Sequence, residues 1–204
     1  MIPIARPSKI VCVGRNYAAH AAELGNEVPA EPLLFLKAPS ALLAPGEAIV
    51  IPPWAGRVDY EGEIGVVIGK RARDVSEEEA LEYVEAILPL NDVTARELQK
   101  KDGQWSRAKG FDTFCPVGEP TPLARVDLEH LSVVTRVNGE EKQRATIAQM
   151  VFPIPFLISH ISRAMTLEPG DLLATGTPEG IGPLAPGAHV EVELSGLPIL
   201  PNPV

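Results

Sequence analysis

Asp59-Tyr60-Glu61-Gly62-Glu63-Ile64-Gly65-Val66-Val67-Ile68-Gly69-Lys70 alternates polar and apolar residues, then turns continuously apolar until Gly69 ends the run. This pattern predicts a central strand over 61–68. On a strand, residues two apart point to the same side. Glu61 and Glu63 are therefore expected side by side. Neighbouring carboxylates repel, and a buried pair needs a proton or a cation to offset the repulsion. Gly62 between them offers almost no side chain on the other face, which suits close packing there. Glu-x-Glu alone equally describes two solvated glutamates, but the apolar continuation does not suit a surface edge. A third acid, Asp92, ends a second apolar run, Ala86-Ile87-Leu88-Pro89-Leu90. An unpaired carboxylate there would be costly. Three carboxylates without a Cys or His ligand pattern suit a hard divalent cation, Mg²⁺, Mn²⁺ or Ca²⁺, rather than zinc.

Outward from this strand, 21 prolines and 17 glycines are dispersed and cut the chain into short runs. Such punctuation favours β structure with turns. Further strands are expected at 9–13, 33–37, 48–51, 87–93, 171–175 and 190–194. Asn138-Gly139 suits a type I′ turn and predicts a hairpin over 133–144. Helices are expected over 16–24 with Asn16 as cap, over 94–101 as a short helix or turn, and over 154–165. Another is expected over 76–86, where Ser76 and Glu79 form a capping-box pattern. No repeat, low-complexity tract or linker interrupts the chain. The expectation is one mostly-β domain over 1–204 with peripheral helices, an α+β arrangement.

A chain of 204 residues can bury a sizeable core, and 45% hydrophobic with 22% charged residues is a globular balance. The formal charge of −9 argues against nucleic-acid binding, which needs clustered Lys and Arg. No apolar run approaches the ~20 residues of a membrane span. Cys12 and Cys115 form no CxxC pair and read as buried thiols. The opening residues lack a basic region followed by an apolar stretch, so a cytoplasmic location is expected. No Gly-x-Ser-x-Gly elbow and no P-loop ending are present.

The assembled residues resemble the fumarylacetoacetate hydrolase family along nearly the whole chain. Val11-Cys12-Val13-Gly14-Arg15-Asn16-Tyr17, with His20 and Glu23, is similar to the family's opening strand and lid-helix region, and Phe35-Leu36-Lys37 to its next strand. The strand containing Glu61 and Glu63 is similar to its metal-binding strand. Asn91-Asp92-Val93-Thr94-Ala95-Arg96-Glu97-Leu98-Gln99 resembles the segment of the third ligand. Lys109-Gly110-Phe111-Asp112-Thr113-Phe114-Cys115-Pro116 resembles the catalytic-lysine segment, and 175–183 the late loop. The stretch between Asp92 and Lys109 is shorter than in animal acylpyruvases, and Gly110 stands where many members have Ser.

The resemblance implies a mixed β-roll, a divalent metal (usually Mg²⁺), and a homodimer. It implies a small 2-oxo acid as substrate, in the manner of the compact acylpyruvase and oxaloacetate-decarboxylase subgroup. Glu61, Glu63 and Asp92 would hold the metal, which would stabilise the enolate formed when a C3–C4 bond breaks. Lys109 would meet developing negative charge; beside a metal its pKa is expected to fall, allowing a share in proton transfer. His20 and Glu23 share a helix face by spacing, and the Glu would orient the His as general base. Arg15, Lys37, Arg96, Gln99 and Thr177 are expected on the substrate side, Thr177 through its hydroxyl or backbone N–H. His130, His160 and His189 read as structural or surface residues. The first activity expected is C–C hydrolysis of an acylpyruvate. Alternatives are a decarboxylase or isomerase of 2-oxo or 2-hydroxy-dienoate diacids, and a non-catalytic metal- or metabolite-binding β domain.

Overall fold

The strand expected over 61–68 forms as Gly62–Ile68, with every residue buried, in a computed structural model that describes residues 1–204. Glu61 stands between this strand and a shorter one at Val58–Tyr60, so the ladder breaks at the first acid. In chain order, the first half holds β1 (Ile10–Gly14), α1 (Ala18–Glu23), β2 (Leu33–Lys37), β3 (Leu42–Leu43), β4 (Val58–Tyr60), β5 (Gly62–Ile68) and β6 (Val84–Asn91). There follow β7 (Thr94–Ala95), α2 (Arg96–Asp102), α3 (Ser106–Lys109), β8 (Cys115–Pro116), β9 (Thr121–Pro122), β10 (Ser132–Val137) and β11 (Glu140–Thr146). The last elements are α4 (Ile154–Ala164), β12 (Leu172–Ala174), β13 (Gly182–Pro183), β14 (His189–Leu194) and β15 (Leu200–Pro203).

Six strands form a sheet in the order β2-β1-β12-β5-β6-β9, in which only the β1–β12 pair is parallel. An antiparallel sheet β11-β10-β14-β15, a small sheet β13-β4-β7 and the pair β3-β8 complete the framework. This is the mixed β-roll with peripheral helices that the sequence led us to expect, its sheets open. The continuous apolar run of β5 has a direct cause: both its faces are covered. Ile64, Val66 and Ile68 pack in a cluster with Leu157, Ile158 and Ile161 of α4 and Val133 of β10. Val67 points into a second cluster with Cys12, Leu88 and Leu172. Asn138 and Gly139 both have positive φ, 53° and 78°, and form the expected two-residue turn between β10 and β11. No helix is long and apolar enough to cross a membrane.

Several local expectations are corrected. The helix expected over 76–86 reduces to a turn and a single 3-10 turn at Ala80–Tyr83, and β6 begins at Val84. The Glu79 N–H does donate to Ser76 Oγ, at 3.3 Å. That local contact is outweighed by the ladder to β5 and by burial of Ala86 to Leu90 in alternating clusters. Asn16 does not cap α1; Tyr17 holds the N-cap position, with no side-chain capping hydrogen bond. The Asn16 amide is instead buried, donating to Phe152 O (3.1 Å) and Thr175 O (2.8 Å) and accepting from the Phe152 N–H. Residues 48–51 form no strand. There the Ile49 N–H donates to Pro203 O, and the Val50 N–H to Thr113 Oγ1. No element was expected over 200–203, where β15 carries Pro201 and Pro203. It lies at a sheet edge, where proline is tolerated, and both proline carbonyls accept N–H groups from residues 46 and 49.

Candidate active site

The antiparallel register of β5 on β6, with Gly62 opposite Asn91, brings three acids together. Glu61 precedes β5, Glu63 lies inside it, and Asp92 follows β6. One carboxylate oxygen from each can be chosen so that all three lie within 4.8 Å, and all three residues are buried. The junction is pinned by the backbone: the Glu61 N–H donates to Asn91 Oδ1 (2.9 Å), and the Asp92 N–H to Glu61 O (2.8 Å).

Cations surround two of the three acids. Lys109 Nζ donates to Glu61 Oε2 (2.8 Å), Asp92 Oδ2 (2.5 Å) and Thr94 Oγ1 (2.8 Å). Lys37 Nζ donates to Asp92 Oδ1 (2.6 Å) and Val93 O. Arg96 donates to Glu61, to Asp59 Oδ2 (2.8 Å) and to Gln99 Oε1 (3.0 Å). Glu63 differs: its one polar contact is the Gly176 N–H at 2.8 Å, and no Lys or Arg pairs with it. Burial, then the charges of Asp92 and Glu61, push the Glu63 carboxyl well above the usual range. Burial also opposes ionisation of Glu61, but Arg96 and Lys109 outweigh it and hold that carboxyl far below the usual range. An oxygen-only donor set with one uncompensated buried carboxylate fits a hard divalent cation. Lys109 departs from expectation. Burial disfavours its charge, yet Asp92 and Glu61 prevail and raise its pKa, whereas the expected depression presumed a cation alongside.

His20 is buried on α1, and its Nδ1 lies 3.2 Å from Glu23 Oε2. Glu23 Oε1 accepts the Gly180 N–H at 3.1 Å, tying the pair to the late loop. The helical spacing of the two residues thus does produce a dyad, on a helix of only six residues. Nδ1 is engaged, which leaves Nε2 as the free ring nitrogen. Thr177 Oγ1 donates to Gly62 O (3.0 Å) and accepts from Gln143 Nε2 (2.8 Å). Its hydroxyl proton is committed, so of the two donors expected at Thr177 the backbone N–H is the uncommitted one.

These groups open onto a cleft of about 290 Å³. Arg15, His20, Glu61, Glu63, Asp92, Arg96, Gln99, Lys109 and Thr177 line it, with Leu24, Phe35 and Trp105 as its apolar wall. Phe35 and Trp105 pack edge to face at 5.1 Å, and Lys109 Nζ lies 4.8 Å from the Phe35 ring centre. Lys37, expected on the substrate side, does not line the cleft; its ammonium is spent on Asp92 and Val93. Glu23 reaches the cleft only through His20.

Sequence reasoning missed three residues. Asp59 is buried and orients Arg96; its signal was present, because Asp59, Glu61 and Glu63 continue one period of two. Gln143 accepts the Gly62 N–H (2.9 Å) and donates to Thr177 and Pro178 O, clamping the late loop onto β5. Nothing in the polar strand around it marked it out. Trp105 belongs to the stretch between α2 and α3, for which no element was expected. Gly110 also gains a reason: a Cβ there would stand 2.3 Å from Ser106 O, so α3 closes too tightly for Ser. Cys12 and Cys115 are buried, and burial is the main cause that raises both thiol pKa values, that of Cys115 to about 12.

Three buried carboxylates able to hold a metal ion, ion-paired cations and a His–Glu pair thus meet at one cleft. Residues 9–204 match the family described as fumarylacetoacetate (FAA) hydrolase C-terminal, and the chain belongs to that family. It is 47% identical over 195 residues to a mitochondrial oxaloacetate tautomerase of Arabidopsis thaliana, covering 93% of this chain and 87% of that protein. Its fold superposes with a TM-score of 0.91 on the 5-carboxymethyl-2-hydroxymuconate delta-isomerase of Mycobacterium smegmatis, at 43% identity, covering 99% and 80% of the two chains. It superposes equally, at 0.91, on a fumarylpyruvate hydrolase of Pseudomonas aeruginosa in complex with Mn²⁺ and pyruvate, at 35% identity, covering 97% and 89%.

Proposed function

We propose that residues 1–204 act as one catalytic unit, a divalent-metal-dependent enzyme that draws a short 2-oxo acid into its enolate form. The observation that carries this reading is the sharing of one cleft by the carboxylate triad and the His20–Glu23 dyad. A cation held by Glu61, Glu63 and Asp92, Mg²⁺ before Mn²⁺ or Ca²⁺, supplies Lewis acidity toward the 2-oxo oxygen. The Mn²⁺ in the Pseudomonas hydrolase supports a cation of this kind. His20 moves the C3 proton at Nε2, while Glu23 fixes the ring through Nδ1. Lys109, locked as an ammonium between Glu61 and Asp92, offsets the negative charge that develops on oxygen. The Thr177 N–H and Gln99 orient the 1-carboxylate, and Leu24, Phe35 and Trp105 shield the reacting carbons from water.

Proton transfer at C3 of an oxaloacetate-type acid, with or without loss of CO₂, is the first reading, supported by the name of the 47%-identical Arabidopsis relative. C–C hydrolysis of an acylpyruvate is the second, with His20 activating water, supported by the Pseudomonas hydrolase. A homodimer belongs to the same reading, and sedimentation velocity checks it. The function is tested by assaying oxaloacetate, acetylpyruvate and a hydroxymuconate-type diacid with and without Mg²⁺. Mg²⁺-dependent turnover of oxaloacetate is expected, and His20→Ala should lower it by about 10²–10⁴-fold while still binding the cation. If no acid is turned over, the non-catalytic binding domain replaces this reading.

A further inference from the structure

Arg15, with Lys100 at the rim, stands apart from the cations on and around the cleft that pair with its acids. Lys37, Arg96 and Lys109 are each committed to Asp59, Glu61 or Asp92. Arg15 lines the same cleft, is only partly exposed, and pairs with no carboxylate. Its backbone lies in the left-handed region, at φ 60°, a conformation that a residue with a long side chain seldom adopts. Such a conformation persists when the surroundings over-determine it, and such residues cluster at ligand-binding sites. Here both neighbours are fixed. Gly14 pairs with Leu33 across β1 and β2, and the Asn16 amide is bound to the backbone of Phe152 and Thr175. A Cβ at Gly14 would meet Trp105 at 3.0 Å, so the wall is already closed on that side. The chain must turn at residue 15, and its side chain is delivered to the cleft.

In the reading above, on which this inference rests, the 2-oxo end of the substrate sits at the acidic triad. An uncommitted guanidinium in so small a cleft then calls for an anion at the other end of the same molecule. We propose that Arg15 is the specificity residue that receives the second carboxylate of a short 2-oxo diacid, through its two-pronged N–H fork. Lys100, exposed at the rim and also unpaired, adds positive field without a fixed geometry.

Oxaloacetate and 2-oxobutanoate test this, since they share four carbons and differ in the C4 carboxylate. The readout is the ratio of their kcat/KM values for C3 proton exchange in D₂O, followed by NMR on the Mg²⁺-loaded chain. Arg15→Asn is the central variant, because Asn accepts the left-handed backbone and so removes the guanidinium without adding strain. The preference for oxaloacetate should fall by roughly 30-fold or more, chiefly through KM, and Arg15→Lys should restore part of it. An unchanged ratio, or a preference lost in Lys100→Ala but kept in Arg15→Asn, overturns the assignment. If the wild type turns over neither acid, the enolate reading fails, and calorimetric titration of 2-oxoglutarate and 2-oxopentanoate decides Arg15 separately. A diacid preference that Arg15→Asn abolishes supports it; equal binding of the two acids, or none, overturns it.

Discussion

Glu63 is the one acid of the triad with no cationic partner. Glu61 has Arg96 and Lys109, and Asp92 has Lys37 and Lys109, but Glu63 has only the Gly176 N–H. Burial first, and the other two acids next, raise its pKa in the folded, metal-free chain. An unfolded Glu titrates near ~4.3. Between that pH and the higher folded value, the native state keeps a proton that the unfolded chain releases. Stability therefore declines as pH rises through this window, and the loss is complete above the folded pKa. Glu63→Gln removes the effect. Its metal-free form should melt above the wild type at pH 7, by about 2–4 °C for each kcal/mol recovered, and should lose its response to Mg²⁺. Scanning calorimetry with and without EDTA checks this, and a lower metal-free Tm would contradict it. Lys109 has the opposite balance. Lys109→Ala leaves Glu61 and Asp92 short of a partner and should cost about 3–5 kcal/mol, read as a lower urea midpoint at unchanged m-value. Neither contrast was visible in the sequence, which presented three acids alike.

At the scale of elements, β5 was legible because it is buried on both faces, so its composition reports its place. Gly62 was legible only as an absence of side chain. The structure supplies the neighbour: a Cβ there would lie 1.9 Å from Thr135 Oγ1, where β10 crosses β5. That hydroxyl is buried and has no hydrogen-bond partner, so removing it leaves nothing unsatisfied. Gly62→Ala should destabilise by about 1–3 kcal/mol through overpacking and disturb Glu61 and Glu63 together. Adding Thr135→Ala should recover most of the loss in Tm and in Mg²⁺ affinity, a coupling that a double-mutant cycle measures. If the second substitution gives no recovery, the contact is not the cause. The failed helix over 76–86 teaches the reverse. Its capping contact is real but local, and one such contact is worth about 1 kcal/mol. Each fully buried Ile or Leu of the following run is worth about 1.5–3 kcal/mol, so the strand begins as soon as the ladder to β5 can form. Asn16 was misread for a related reason: its amide serves Phe152 and Thr175, 136 and 159 residues away, not the helix beside it.

Across the whole molecule, a cation held by the three proposed ligands would couple the site to stability, because Glu61 joins β4 to β5, Glu63 lies within β5 and Asp92 follows β6. Mg²⁺ at ~100 times its Kd should add about 2.7 kcal/mol of stability. EDTA should reverse the gain, and His20→Ala should keep it while losing turnover; thermal melts at several Mg²⁺ concentrations check both. The sequence by itself determined the mostly-β class, the β5 strand, the Asn138-Gly139 hairpin and the proximity of Glu61 to Glu63. Each follows from an interaction between near neighbours, whose geometry a period of two or a turn pair encodes. Only the tertiary structure decided which acid goes uncompensated, which cations are spent and which are free. Lys37 meets Asp92 across 55 residues, Lys109 meets Glu61 across 48, and Arg96 meets Glu61 across 35. A charge pair at such separations leaves no periodic trace in the chain, because its partner is set by strand order and register.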